Sequence, residues 1–544
     1  MGQWRQSFKV RSVSFLAALF CAGSAGAESA PVYAAWSQVI GETVAAASAP
    51  AKVEMRFVID AKAASTPDRD TACGAFLVAE PGLDASDVMS KGRTPVARKQ
   101  TFKDIFVCRA EAPEAQVQLY DTTGVAVVLT SQMNLDNDKV EDGPWQPGPS
   151  NGVAVVVAGA AWIGRDATFK LLTLGDTGCR GGRHQNCGHW RGKDGWPLPQ
   201  IASVGAEQAP DLVIHVGDFR YFHENALRQD SWALWQKDFF PVAQPLLLAA
   251  PWAMARGNHE GCSYASLAFG AGYFQFFGQS DDIDCDDLGT TAPPGETAIY
   301  RAPWYFDVMP AGGTPEDAHR FVIIDANDYE GAVGVKTAQA EAHFKTAINI
   351  SAAGPKSSWW VWHSPALQRI TWKQQPFGDP LLRQALLAAA GIDKADGQRF
   401  CLSGEAPNCS PSMFLLGHQH LYQDVSFPKD GKWIFPQATI VGHGGVNLRD
   451  SNPGPGHIEY CEEDDFPLGA NGAHDVTGRV NTVVDHGFVL WTRKAGAKHG
   501  QTGWEPQYSW VSSYAETADG KISAALGGLP QAAPEQPKSC IAAQ

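Results

Sequence analysis

Four short fragments of this chain gather residue types that bind metal ions. They are Gly175-Asp176-Thr177-Gly178, Gly217-Asp218-Phe219-Arg220-Tyr221, Gly257-Asn258-His259-Glu260 and Gly417-His418-Gln419-His420. A fifth element, His363, follows the apolar run Trp359-Trp360-Val361-Trp362. Taken singly they say little. A Gly-Asp pair is usually a turn, a tyrosine after a strand is usually packing, and His-x-His is modest evidence for metal. Gly-Asn-His-Glu is the most specific single piece. Taken in order, they offer Asp176, Asp218, Tyr221, Asn258, His363, His418 and His420 as ligands. Such a set suits two metal ions held close together by a shared carboxylate, a pair that clamps both the attacking and the leaving oxygen of a phosphoryl transfer.

The elements that must position these side chains are legible in the runs before them. Lys170-Leu171-Leu172-Thr173-Leu174, Leu212-Val213-Ile214-His215-Val216, Ala253-Met254-Ala255-Arg256 and Met413-Phe414-Leu415-Leu416 are strand-length and bounded by glycine. The ligands therefore fall just past the carboxyl ends of strands, where open α/β sheets bind their ligands. Helical patterns over 227–239, 336–350 and 380–390 alternate with these runs, and 433–441, 488–492 and 508–512 read as closing strands.

The order GD-x-G, GD-x-x-Y, GNHE, H, GHxH resembles the calcineurin-like metallophosphoesterases, and within them the purple acid phosphatase branch. Most of the superfamily opens with Asp-x-His. This chain has Gly178 at that His position and gains Tyr221 in the next motif, a matched exchange of an imidazole for a phenolate. Trp360 stands where the family usually shows Val in the fourth motif. The resemblance covers roughly residues 168–513, including Asp325. It implies a four-layer αββα sandwich of α/β (α+β) class, preceded by a smaller all-β N-terminal domain. It also implies an enzyme hydrolysing phosphate monoesters by attack of a metal-bound hydroxide.

By the same resemblance Asp176, Tyr221 and His420 would bind the first metal, Asn258, His363 and His418 the second, and Asp218 would bridge both. A phenolate is a hard anionic donor suited to Fe(III), so the implied cofactor is Fe(III) paired with a divalent ion, Zn, Fe or Mn. His259 and Glu260 are the catalytic candidates. His259 would stabilise the phosphate or protonate the leaving oxygen. Glu260 would orient the site as an acceptor behind it. Three other readings stay open: a phosphodiesterase on the same site, a metal-bearing binding protein without activity, and a cell-surface recognition protein whose β domain does the work. Arg180, Arg183, His184, Arg220 and Arg256 read first as solvated surface groups, and His443 as either a substrate contact or a packed histidine.

Composition sets the frame. The 544 residues suggest at least two domains, and the formal charge of −15 makes the chain a poor binder of nucleic acid or anionic lipid. The implied partner is a small-molecule phosphate ester. Residues 1–27 read as a secretory signal, with Arg5, Lys9 and Arg11 before the apolar 13–20 run and Ala25-Gly26-Ala27 as the cleavage site. No later run spans a bilayer, so the expected location is periplasmic or secreted. Eleven cysteines less Cys21 leave an even number for an oxidising compartment. Proximity pairs Cys73–Cys108, Cys179–Cys187, Cys262–Cys285 and Cys401–Cys409, and exclusion leaves Cys461–Cys540.

The expected division is a signal at 1–27, a β-rich domain with linker at 28–164, a catalytic domain at 165–525 and a tail at 526–544. Within 28–164 the alanine-rich 45–51 stretch extends a short helix from Val32. Strand-like runs follow at 53–59, 75–78, 105–110, 116–119, 125–130 and 153–157, a pattern of immunoglobulin-like or fibronectin-like type. The Gly-, Asp- and Pro-rich insertions at 262–300 and 448–480 are expected to overhang the cleft.

Overall fold

The β-branched and leucine-rich runs before the motifs do form strands, and adjacent ones pair in parallel. The structure is a computed structural model that describes residues 30–112, 114–130, 155–158, 166–180, 185–187, 195–221, 230–262, 270–279, 285, 301–314, 317–326, 335–355, 357–368, 379–391, 411–429, 432–433, 435–448, 458–467, 475–496, 503–516 and 522–523. Its strands are Val32–Ile40 (β1), Lys52–Asp60 (β2), Phe76–Ala79 (β3), Val96–Ala97 (β4), Ile105–Glu111 (β5), Gln116–Asp121 (β6), Val156–Ala158 (β7), Thr168–Leu174 (β8), Leu212–His215 (β9), Trp252–Met254 (β10), Trp304–Val308 (β11), His319–Ile323 (β12), Ser357–Val361 (β13), Met413–Leu416 (β14), Tyr422–Ser426 (β15), Pro428–Lys429 (β16), Lys432–Trp433 (β17), Gln437–Val441 (β18), Ile458–Pro467 (β19), Asp475–Val484 (β20), Gly487–Lys494 (β21) and Glu505–Trp510 (β22). The helices are Arg69–Cys73 (α1), Ala85–Lys91 (α2), Leu198–Glu207 (α3), Trp232–Asp238 (α4), Phe240–Ala249 (α5), Gly270–Phe277 (α6), Val335–Ala353 (α7) and Pro380–Ala390 (α8).

Two sheets carry the site. The first runs β22-β21-β8-β9-β10-β1-β2-β5-β4, and the second runs β11-β12-β13-β14-β18-β15-β20-β19. The alternation of a strand sends successive side chains to opposite faces. Leu171 of β8 accordingly joins Ile214, Ala253, Phe321, Trp359 and Met413 in one core between the sheets. Leu172 and Leu174 join Leu198, Ile201, Trp235 and Phe240 beneath α3–α6. On the far side, Val322, Trp360 and Phe414 pack under Phe344 of α7 and Leu386 of α8. The order is therefore helix, sheet, sheet, helix: the αββα sandwich.

The N-terminal region is β-rich, as expected, and four of its strands extend the first sheet. Its β1 lies parallel to β10, with Gln38 opposite Trp252, and β2, β5 and β4 follow in the same sheet. The physical reason is edge protection. The three-residue β10 would otherwise end a parallel sheet with unpaired amides and carbonyls. Val32-Tyr33-Ala34-Ala35-Trp36 is strand, not the start of a helix, because it is buried on both faces: Ala35 enters the inter-sheet core, Ala34 and Trp36 the outer one. Only β3, β6 and β7 form a separate three-stranded sheet. The expected strand at 125–130 makes isolated bridges only, at Ala126 and Leu129.

Two further expectations changed. Much of 448–480 is not an overhanging loop, since β19 and β20 form an antiparallel hairpin that ends the second sheet. The helix expected at 227–239 is described from Trp232, with Ser231 as its N-cap. Three of the five expected disulfides are present: Cys73–Cys108, Cys179–Cys187 and Cys262–Cys285. Cys401–Cys409 and Cys461–Cys540 lie outside the described side chains, as do the signal segment and the tail. Among the described residues no helix is long and apolar enough to cross a membrane.

Candidate metal centre

Each predicted ligand stands where a parallel strand ends. Asp176 follows β8, Asp218 and Tyr221 follow β9, and Asn258 follows β10 in a single 3-10 turn, Asn258–Glu260. His363 follows β13, and His418 and His420 follow β14. The turns are tight. Asp176, Asp218, His418 and His420 all take left-handed backbone, with φ of 55°, 57°, 73° and 37°. Non-glycine residues there are strained, and such strain persists only where the surroundings hold it. Gly217 shows why the motif needs glycine. Its φ is 104°, and a Cβ there would lie 2.7 Å from the Gly257 backbone and 2.8 Å from His363 Nδ1.

The side chains converge in two groups that share one oxygen. Tyr221 Oη lies 2.7 Å from Asp176 Oδ1, 2.7 Å from Asp218 Oδ2 and 3.0 Å from His420 Nε2. Asn258 Oδ1 lies 2.9 Å from His363 Nε2 and 2.9 Å from His418 Nδ1. His363 Nε2 is 3.1 Å from the same Asp218 Oδ2. Asp176, Asp218 and His363 are fully buried or nearly so.

The donor set fits cations. His363 Nδ1 faces the Val216 carbonyl at 3.0 Å, and His420 Nδ1 faces the Asn447 carbonyl at 3.0 Å. A carbonyl only accepts, so each Nδ1 carries the proton and each Nε2 lone pair points into the cluster. One phenol proton cannot serve Asp176, Asp218 and His420 together. The cluster therefore holds more acceptors than donors, and positive charge is what it lacks. Electrostatics agree. Burial opposes a charge on His363, yet Asp218 and Asp176 outweigh it and push the imidazole up to about 9. Burial pushes Asp176 up to about 7. Burial also disfavours the Asp218 charge, but His363 and His259 overcome it and hold this carboxyl well below its usual range. Asp218, His363 and His418 by themselves form a group able to hold an ion.

The two catalytic candidates divide. His259 Nε2 stands 3.8 Å from Asp218 Oδ2, with its ring 4.0 Å from that of Tyr221 and an edge toward solvent. Glu260 does not face the cluster. Its Oε2 accepts the Gly257 and Asp218 amides at 3.0 Å each, and its Oε1 accepts the Phe219 amide at 3.0 Å. It ties the loop after β10 to the loop after β9.

Other residues that shape the site carried no sequence signal. Asp238, at the end of α4, accepts the Cys179 amide with Oδ1 and the Tyr221 amide at 2.8 Å with Oδ2. His215 Nδ1 accepts the Gly217 amide at 3.1 Å, and its Nε2 meets Thr177 Oγ1 at 3.0 Å. Both link the Asp176 loop to the Asp218 loop across distant sequence. Arg220 and Arg256 are not surface groups. Arg220 is buried and pairs with Asp230 at 2.6 Å, and Arg256 pairs with Asp325 at 2.8 Å. Arg180 is exposed, and Arg183 and His184 lie outside the described residues. His443 is packed in the core. It is fully buried, its ring 5.7 Å from Tyr422 and 5.5 Å from Trp510, and burial pushes it down to about 3.

The sequence model of the calcineurin-like phosphoesterase family matches residues 169–422, which hold all seven cluster residues. Residues 169–422 are a calcineurin-like phosphoesterase domain. The match begins in β8 and ends at Tyr422 of β15, so strands β1–β7 lie before the matched stretch. No curated protein matches the chain by sequence. Among solved structures, the purple acid phosphatase PPD1 from yellow lupin (Lupinus luteus) seeds aligns with a TM-score of 0.48 at 11% identity, covering 91% of this chain and 74% of that one. GAP50, the anchor in the inner membrane complex of Plasmodium, aligns with a TM-score of 0.34 at 11% identity, covering 67% of this chain and 90% of that one.

Proposed function

We propose that this phosphoesterase is an exported, dinuclear-metal hydrolase of purple acid phosphatase type acting on small-molecule phosphate monoesters. The observation that carries the reading is Asp218 Oδ2, which lies 2.7 Å from Tyr221 Oη in one group and 3.1 Å from His363 Nε2 in the other. A carboxylate oxygen common to two donor sets is what a bridged pair of ions requires. Asp176, Tyr221 and His420 would hold one ion, Asn258, His363 and His418 the other. The phenol of Tyr221 favours Fe(III) in the first place, and the amide and imidazole donors favour a divalent Zn, Fe or Mn in the second. When bound, such a pair supplies a nucleophile at low pH and neutralises the charge of the phosphate.

The chain's own residues do the remaining work. His259 stands at the solvent edge of the cluster, 3.8 Å from Asp218 Oδ2, placed to hold a proton for the departing alcohol. Its backbone amide donates to Asp218 Oδ1 at 2.9 Å and so fixes the bridging carboxylate. Glu260, Asp238 and His215 hold the loops in register. Glu260 is thus a positioning residue rather than one that touches the reacting atoms. Export is supported by three disulfides, which persist in oxidising compartments.

The test is hydrolysis of a phosphomonoester and the matching diester at acid and neutral pH, with Asp218→Asn as control and bound metal counted by elemental analysis. A monoester preference, strongest in acid, with metal and activity both lost in the variant, is expected. A diester preference would replace the substrate assignment. Full metal occupancy and activity in Asp218→Asn would remove the bridging role.

A further inference from the structure

At the end of the molecule away from the metal centre, a buried guanidinium has no hydrogen-bond partner among the described residues. Along β21, Val489 and Trp491 enter the inter-sheet core, while Phe488 and Leu490 face the outer one. The two-residue alternation places Arg493 on the inter-sheet side. Its guanidinium carbon lies 5.7 Å from the ring centre of Trp504, which belongs to that same core. Arg493 is 1% exposed, and none of its three guanidinium nitrogens meets an acceptor among the described residues. Asp317 acts on it through space, but the Asp317 carboxylate is engaged elsewhere. It accepts the Thr314 amide at 2.7 Å, Thr314 Oγ1 at 3.1 Å and the Gly496 amide at 3.0 Å.

The opposite sheet adds a second orphan donor. Trp359 of β13 is fully buried, its ring 5.0 Å from Trp504, and its indole Nε1 has no acceptor among the described residues. His319 of β12 stacks its edge against both rings, at 5.0 Å and 5.2 Å, and its Nδ1 is joined to Ser357 Oγ at 2.7 Å. A buried cation and a buried indole N–H thus both lie against the Trp504 ring, and neither has an acceptor among the described residues. Leaving a buried charge uncompensated is strongly unfavourable. Burial, partly offset by the Asp317 charge, pushes the guanidinium down to about 10.

We propose that this region binds a small inorganic anion of chloride size, held by the Arg493 guanidinium and Trp359 Nε1. A halide suits the lining. It accepts N–H donors from any direction, needs no acceptor in return, and is favoured by the positive edges of aromatic rings. A protonated oxyanion would bring an O–H donor of its own to a lining that presents chiefly N–H donors. The site is separate from the metal centre. Arg493 pairs with Phe169 at the start of β8, and β8 runs about 17 Å from there to Leu174 at ~3.3 Å per residue. The bound anion would join the last strands of the first sheet to β12 and β13 of the second, which is a structural role rather than a catalytic one.

The test uses the full, metal-loaded protein. Crystals grown in sodium bromide are expected to show an anomalous bromide peak between the Arg493 guanidinium and Trp359 Nε1. Density there that carries no anomalous signal, or an acidic side chain from another segment in contact with Arg493, would overturn the proposal. In solution, replacing gluconate with chloride at constant ionic strength is expected to raise Tm by about 2–4 °C. Arg493→Met should lose that rise while keeping its metal content. Trp359→Phe keeps an aromatic ring there and removes one donor, so it should lower bromide occupancy at the peak even where Arg493→Met does not fold. An equal chloride response in wild type and a folded Arg493→Met would also refute the site.

Discussion

Tyr221 Oη lies 2.7 Å from Asp176 Oδ1, although the two residues belong to turns after different strands. The contact exists because residues 219–221 occupy the space beside Gly178. A Cβ at position 178 would lie 2.6 Å from Arg220 Cα, 2.7 Å from the Tyr221 nitrogen and 2.8 Å from the Phe219 oxygen. The absence of a side chain at 178 and the presence of the phenol at 221 are one packing solution.

Gly178→Ala is therefore expected to destabilise the protein by about 1–3 kcal/mol, the usual range for forcing atoms into a packed site. The obstructing atoms are backbone, which cannot move aside as a flexible side chain would. Urea unfolding measures the loss, and an unchanged midpoint would show that the 219–221 turn yields easily.

Tyr221→Phe keeps the ring against His259, at 4.0 Å, and removes only the oxygen. The fold should persist. Metal affinity or activity should fall by more than about 10–100-fold, the scale seen when a metal site loses only a partner behind its ligands. Any visible absorption arising from a phenolate on iron should vanish. Colour retained in the variant would assign the absorption to another ligand.

Glu260→Gln tests positioning. Glu260 accepts three amides, from Gly257, Asp218 and Phe219. A glutamine amide group offers one acceptor oxygen and turns a donor toward the rest. At least one buried N–H is left unpaired, at about 1–3 kcal/mol. Stability should drop along with metal affinity, measured by urea unfolding and metal titration. Loss of activity with stability and metal binding unchanged would instead make Glu260 a participant in the reaction.

Asp424 gives a pH dependence remote from the metal ligands. Burial pushes its carboxyl from 3.8 up to about 6, against hydrogen bonds from Gln437 at 2.6 Å and Thr439 at 3.0 Å. Tyr422 and Tyr508 are the titratable neighbours that feel its charge. A raised folded-state value means that the proton favours the native state. The contribution is full below pH 3.8 and is lost as pH rises through about 6. Asp424→Asn should be more stable than wild type at neutral pH, with the gap closing toward pH 4. Unfolding midpoints across that range measure it, and parallel pH profiles for the two proteins would contradict the assignment.

Much of the site is legible in the chain's local patterns. The apolar runs before Asp176, Asp218, Asn258 and His418 are short, glycine-bounded and β-rich, so strand-then-ligand order follows from local chemistry. Helix α8 matches its expected span because Asp379 caps it and accepts the Leu381 and Leu382 amides. The helix expected from Val32 is a strand instead, because a strand buried on both faces, such as Val32–Ile40, lacks the polar alternation that marks a half-exposed one. Nothing local says that β1 will pair with β10. The same holds for Arg220 and Arg256. Charged residues read as surface by default, and their counter-charges, Asp230 and Asp325, are identified only by the fold.

The sequence by itself determined which residue types stand after which strands, and hence a donor set suited to metal ions. That follows from backbone preferences and ligand chemistry, both local. Only the tertiary structure decided that Asp218 Oδ2 lies against both donor groups, that Glu260 and Asp238 accept the backbone amides of the loops, and that His443 turns into the core. Those outcomes depend on how two sheets meet. Distances across an interface between distant segments are set by packing, which no single stretch of sequence contains.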